Sequence, residues 1–208
     1  MTGRLITLEG GEGAGKSSVM GALRAALEQH GIEVVQTREP GGTDAGEAIR
    51  KLLLDPAGSL CAETELLLMF ASRAQLVREL VSPALARGAW VLSDRFTDAS
   101  FAYQAGGRGL DSGRIAELER WAVAIKPDLT FLLDVDVRQG HARIAGRDAQ
   151  PDRIESERED FFERVRATYL QRAAAEPHRF RVIDASAPQD AVLRVVLEQL
   201  DRAISAWI

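Results

Sequence analysis

The sequence predicts an α/β fold in which a five-stranded parallel sheet is covered by helices on both faces. Short apolar runs, often rich in Val and Ile, alternate with longer segments of helical periodicity, and a glycine-rich loop of phosphate-binding pattern joins the first run to the first helix. No internal repeat, low-complexity tract or interdomain linker interrupts the alternation. The 208 residues, 46% of them hydrophobic, are therefore expected to form one domain, 1–208, around one substantial core.

In chain order, strands are expected over residues 4–8, 33–37, 90–93, 129–135 and 181–183. The first helix begins near Lys16 and places Val19, Met20, Leu23, Ala26 and Leu27 on one apolar stripe before Gly31 ends it. Further helices are expected over 46–54, 63–87 as one helix or two parted at Pro83, 112–124, 138–145, 158–175 and 189–204. Gly88 follows the 63–87 helix, while Ser186 and Pro188 precede the last. The charged segment 146–157, GRDAQPDRIESE, reads as an exposed loop or mobile lid, the lid as a whole spanning about residues 141–157.

Composition narrows the function. A formal charge of −5 argues against a protein that coats nucleic-acid backbone, though a local basic pocket for a small phosphorylated ligand is compatible with it. The first apolar run stops at Glu9, too short for a signal-peptide core or a membrane span, so a cytoplasmic protein without a membrane partner is expected. Cys61 is the single cysteine and can form neither an internal disulfide nor a thiolate zinc site. His30, His141 and His178 fall in no metal or acid/base constellation.

The chemistry gathers around the glycine-rich loop. Gly10-Gly11-Glu12-Gly13-Ala14-Gly15-Lys16-Ser17 fits G-x-x-x-x-G-K-S after an expected strand and before an expected helix. Such a loop aims backbone N–H groups and a helix N-terminus at polyphosphate oxygens; Lys16 reaches the outer phosphates, and Ser17 helps hold Mg²⁺. Motors, switches, transport ATPases and kinases share this cradle, so other segments must choose among them. Arg38-Glu39-Pro40-Gly41-Gly42-Thr43 forms a tight loop after the second strand. Asp94-Arg95 ends the third, where ligands gather in an open parallel sheet. The carboxylate there can order Mg²⁺ or its waters, and the arginine can bridge two phosphates. Phe70 and Arg73, three apart on a helix, can address one ligand together, or Phe70 can face the core.

The segments LEGGEGAGKSS, TREPGGT, SDRFTDASFAYQAGGRG, PDLTFLLDV and DRIE occur in the order seen in bacterial thymidylate kinases, and the chain resembles that family over nearly its whole length. The resemblance implies the nucleoside monophosphate kinase form of the P-loop NTPase fold, a five-stranded parallel sheet with a lid that closes over ATP. It implies transfer of the terminal phosphoryl group of Mg-ATP to dTMP, giving dTDP for dTTP biosynthesis. ATP would contact the loop from Gly10 to Ser17, with Ser18 and Arg143 completing the set, and Ser17 and Asp94 would hold the metal. For dTMP, Glu12 would face the sugar hydroxyl, Arg95 and Arg50 the phosphate, and Arg38, Glu39 and Pro40 would shape the acceptor site. Ser100 and Gln104 resemble residues that hydrogen-bond the pyrimidine edge, Tyr103 resembles the ring that disfavours a ribose 2′-hydroxyl, and Arg108 would support that wall or the acceptor phosphate.

Phe70 and Arg73 resemble the family's base-stacking aromatic and base-reading arginine. Those two are more often separated by one residue more, which puts Met69 at the stacking position. Like the bacterial group that supplies its catalytic arginine from the lid, the sequence has no arginine among Glu12, Gly13 and Ala14; Arg153 is the first choice for that cation and Arg147 the second, beside Lys16 and Arg95 as catalytic groups. A homodimer packed through long helices is also implied, with residues 66–81 as a contributor. The competing readings are a kinase for another nucleoside monophosphate, a nucleotide-dependent switch, and a non-catalytic nucleotide binder.

Overall fold

The computed structural model describes residues 3–145 and 151–207. Five parallel strands, β1 (Leu5–Gly10), β2 (Val34–Arg38), β3 (Trp90–Asp94), β4 (Leu129–Asp134) and β5 (Phe180–Asp184), form one sheet in the order β2-β3-β1-β4-β5. The central strand β1 pairs with β3 from Leu5↔Val91 to Leu8↔Asp94 and with β4 from Ile6↔Leu129 to Gly10↔Leu133. Each expected strand is present, within a residue or two at its ends.

Side-chain alternation divides the sheet into two unlike faces. Ile6, Leu8, Leu92, Phe131 and Leu133 face a purely apolar cluster with α1 (Lys16–Gln29) and, later in the chain, a helix over Gln189–Trp207. Leu5 and Val91 point the other way, as do the fully buried polar residues Thr7 and Glu9. That second face is covered by α2 (Asp44–Leu54), α3 (Ala62–Leu76) running through a π-helical segment (Val77–Val81) into α4 (Ser82–Ala86), α5 (Thr97–Ser100) and α6 (Ser112–Leu118). It also carries α7 (Val137–Ile144) and α8 (Glu159–Ala175), while the Gln189–Trp207 helix is α9.

Two expectations are refined. Of the two alternatives at Pro83 the chain takes the continuous one, running helically from residue 62 to 86 by widening into the π segment one turn earlier, where the proline ring would meet the carbonyl of residue 79. A helical stretch absent from the sequence reading follows β3: α5 passes directly into a π-helical segment, Phe101–Gly107. Thr97 to Gln104 are all buried, so no apolar stripe marks this helix against a polar face, and Gly106 and Gly107 lower its propensity.

Candidate active site

The carboxyl ends of β1, β2 and β3 deliver the glycine-rich loop, the Arg38–Thr43 loop and Asp94-Arg95 to one edge of the sheet. They open on a cavity of about 390 Å³. One end is lined by Glu12, Gly13, Ala14, Gly15, Lys16, Ser17 and Ser18, whereas Gly10 and Gly11 lie behind it and do not line the cavity. The other end is lined by Met69, Arg73, Ser100, Tyr103 and Gln104, and Asp94 and Arg95 lie on the wall they share. Arg38, Glu39, Pro40 and Arg50 complete it on the β2 side.

At the phosphate-loop end the backbone, not side chains, makes the cradle. Gly10, Gly13 and Gly15 take φ of 141°, 70° and 89°, and a Cβ on Gly13 would stand 2.0 Å from the Gly140 carbonyl oxygen, so α7 abuts the loop with no side chain between them. Lys16 Nζ donates to the carbonyls of Gly10 at 3.2 Å and Gly11 at 3.0 Å. Burial, with the nearby Arg95 charge, holds its pKa below the ordinary lysine value. Arg143 on α7 donates to the carbonyls of Gly13 at 3.4 Å and Ala185 at 2.8 Å, which places it at the rim of the loop.

Arg95 stands between the two ends with φ of 70°. It donates through Nη2 to Glu12 Oε1 at 2.7 Å and through Nη1 to the Gly10 carbonyl at 3.0 Å and the Tyr169 hydroxyl at 3.3 Å. The guanidinium also lies 4.8 Å from the centre of the Tyr103 ring, whose hydroxyl donates to Glu12 Oε1 at 3.1 Å. Among the described residues its Nε–H donates to no protein acceptor, so the fork keeps capacity for an anion. Asp94 Oδ1 is buried with no hydrogen-bond partner among the described residues. With the Ser17 hydroxyl on the same cavity, an unclaimed carboxylate oxygen fits a Mg²⁺ ion that takes most of its ligands from water and phosphate.

The far end is built on Arg73, which is 2% exposed. Its Nε donates to Glu39 Oε2 at 2.7 Å, Nη1 to Ser100 Oγ at 2.9 Å and Nη2 to the Phe96 carbonyl at 3.0 Å, fixing the plane of the fork. Burial pushes the Glu39 carboxyl up, and Arg73 offsets part of that rise. Arg50 Nη1 donates to the Pro40 carbonyl at 2.9 Å, and Arg38 pairs with Glu47 at 3.2 Å.

Two site assignments are corrected. Phe70 is 3% exposed and packs into the core with its ring 4.7 Å from the Arg73 guanidinium carbon, while Met69 lines the cavity. The 100° step of the helix explains it: position 69, four before Arg73, shares the arginine's face more closely than position 70. Arg153 turns away from the phosphate loop; its Nε donates to the Leu53 carbonyl at 2.9 Å and its Nη2 to Glu65 Oε2 at 2.7 Å. Its neighbours Asp152, Ile154 and Glu155 line the cavity instead. Arg147 lies outside the described residues.

Three residues of the site were missed. Glu65 is buried on α3, one turn before Met69 and two before Arg73, a face legible from the i, i+4, i+8 spacing. Glu9, fully buried, interrupts an apolar strand with a carboxylate, itself a signal. Tyr169, some 160 residues from Glu9, reaches it through a 2.7 Å hydrogen bond that nothing in the sequence announces.

Comparison with known proteins agrees with this geometry. The thymidylate kinase family model matches residues 8–196. A thymidylate kinase of Chromohalobacter salexigens is 54% identical over 208 residues, covering 99% of this chain and 98% of its own. One from Alcanivorax borkumensis is 53% identical over 209 residues, with 100% of both chains covered. The crystal structure of thymidylate kinase from Ehrlichia chaffeensis superposes with a TM-score of 0.77 at 30% identity over 99% of each chain. A phosphate loop, a bridging arginine and a buried arginine chamber on one parallel sheet thus meet relatives that match from end to end: the chain belongs to the thymidylate kinase family.

Proposed function

We propose that this protein transfers the terminal phosphoryl group of ATP to the 5′-phosphate of dTMP, making dTDP in the route to dTTP. The observation that supports the reading is one cavity lined at one end by the glycine-rich loop and at the other by Met69, Arg73, Ser100, Tyr103 and Gln104, with Arg95 on the wall between them. A switch or simple nucleotide binder needs the cradle but has no use for the chamber.

The acceptor phosphate is already ionised, so little base catalysis is needed; positioning and charge neutralisation supply most of the acceleration. Loop amides and Lys16 hold the donor phosphates, with Ser18 and Arg143 at the rim. Arg95, braced by Glu12, Gly10 and Tyr169, orients the acceptor phosphate toward the donor, and Arg50 adds a second cation. Mg²⁺, which Ser17 and Asp94 would hold, neutralises charge on the donor phosphates when bound. Tyr103 and Glu12, hydrogen-bonded to each other, face the sugar; Arg73, Ser100 and Gln104 read the base, with Met69 against its face. Arg38, Glu39 and Pro40 shape the wall on the β2 side. The catalytic lid cation falls to Arg147, since Arg153 is engaged by Glu65.

A cytoplasmic homodimer is part of the same reading. Leu67 on α3 is 58% exposed and Trp121 is 81% exposed, and α3 packs against the π-helical segment Glu119–Val123 that carries the tryptophan. Exposed apolar groups on adjoining elements suit an isologous contact between two copies.

ADP formation with Mg-ATP and a panel of dTMP, dUMP, dCMP and dGMP tests the activity. Strong dTMP-dependent turnover is expected. Preference for a purine acceptor, or ATP hydrolysis that ignores the acceptor, would overturn the reading.

A further inference from the structure

Gln104 is 1% exposed and lines the base end of the cavity, yet its amide is not free to choose which way round it sits. Nε2 donates to Glu65 Oε1 at 2.9 Å. The same carboxylate accepts from Arg108 Nε at 3.2 Å, Arg108 Nη2 at 3.0 Å and Arg153 Nη2 at 2.7 Å. Burial pushes the Glu65 carboxyl up, but the donors from Arg108, Gln104 and Arg153 outweigh it and hold the group below the ordinary carboxylate value. Glu65 is thus ionised and accepts only. A flipped Gln104 would set its carbonyl oxygen against that carboxylate, two acceptors facing in a buried site. The amide nitrogen must face Glu65, and the carbonyl oxygen is left for the ligand.

The consequence is a fixed hydrogen-bonding sense. Arg73 can only donate, and the outward branch of Gln104 accepts. A keto-pyrimidine edge offers a carbonyl acceptor beside a ring N–H donor and matches that pair. An amino-pyrimidine edge offers a donor beside a bare ring nitrogen and opposes both. The carboxylate has a second client. Arg153 is anchored by Glu65 and by the Leu53 carbonyl, and its backbone N–H donates to the Leu54 carbonyl at 3.4 Å. Its flanking residues Asp152, Ile154 and Glu155 form cavity wall.

We propose that Glu65 is a positioning residue for base choice: it fixes the sense of the Gln104 amide and, through Arg153, docks the 152–155 arm against the base end of the cavity. The proposal rests on the reading of that end as the base site.

Steady-state kinetics of the full chain with dTMP and dCMP test it, with thermal melting to check the fold. Glu65→Gln supplies an amide that can donate to, or accept from, Gln104. It is expected to lower the dTMP:dCMP ratio of kcat/KM by about tenfold or more, chiefly through KM for dTMP. In a Gln104→Ala background the same substitution is expected to leave the ratio unchanged, because Glu65 acts through Gln104. Arg153→Gln, which keeps Glu65 and Gln104, is expected to raise KM for dTMP about fivefold at unchanged ratio. Should Glu65→Gln fail to fold, Glu65→Asp keeps the charge with a shorter reach and is read by the same ratio.

A Gln104→Ala enzyme with parental selectivity would overturn the base-site reading and the proposal with it. Sensitivity to Gln104→Ala but not to the Glu65 variants would overturn the proposal alone. An equal loss from Glu65→Gln in both backgrounds would show independent structural damage and sink it too, and an unchanged KM in Arg153→Gln would remove the arm.

Discussion

Glu9 lies at the end of the central strand with both oxygens engaged, Oε1 by the Phe96 backbone N–H at 2.7 Å and Oε2 by the Tyr169 hydroxyl at 2.7 Å. Burial, and then the neighbouring Asp98 charge, pushes its pKa up to about 8, against donors that pull it down. A folded carboxyl that keeps its proton above the unfolded value of 4.5 adds stability fully present below that value and lost as pH rises through about 8. Unfolding free energy from urea titrations is therefore expected to fall as pH rises between about 5 and 8, and Glu9→Gln, which cannot ionise, is expected to flatten that slope. Equal slopes in the two proteins would show that Glu9 is not the titrating group. At this scale the sequence yields residues whose pattern is local, such as Lys16, Ser17 and Arg95. Partnerships such as Glu9 with Tyr169 need the folded chain to bring distant segments together. The Met69 and Phe70 exchange is intermediate, since one helical step of phase decides which side chain meets the cavity.

Helix α7 meets the phosphate loop through facing glycines: a Cβ on Gly140 would stand 2.3 Å from the Glu12 carbonyl oxygen. Since the obstruction is backbone, Gly140→Ala has to push helix and loop apart. It is expected to cost about 1–3 kcal/mol and to raise KM for ATP more than KM for dTMP, checked by chemical denaturation and by titrating each substrate separately. Equal changes in both constants would count against specific coupling to the donor end. Elements of this kind were the most legible part of the sequence: five apolar runs became five strands, and the amphipathic α1 began at Lys16 as expected. The exception is the α5 and Phe101–Gly107 stretch, where surroundings rather than periodicity make the helix. Its Asp98 is fully buried and accepts from Arg179 Nη1 at 2.7 Å and from Arg172 Nε at 2.5 Å, cross-links to α8 and the approach to β5 that no local pattern encodes.

For the molecule as a whole, the exposed apolar surface around Leu67 and Trp121 bears on assembly. Sedimentation is expected to find a dimer, and Trp121→Glu, which places a charge on an 81% exposed position, to shift it toward monomer without loss of fold. A monomeric parent protein at working concentration would overturn the dimer. The larger apolar cluster raises a different matter, that of assembly in time. Its helical cover joins Val19, Leu23 and Leu27 of α1 to Val192, Val196, Leu200 and Ile204 of α9, and Trp207 packs at 5.3 Å on Trp90 and 4.9 Å from the Arg4 guanidinium carbon. β1 is the first strand in the chain yet sits at the middle of the sheet, so both its neighbours and α9 follow it in sequence. A growing polypeptide leaving the ribosome therefore carries its central strand with that apolar face covered only in part, by α1, until α9 emerges, an interval during which shelter by a chaperone counts most.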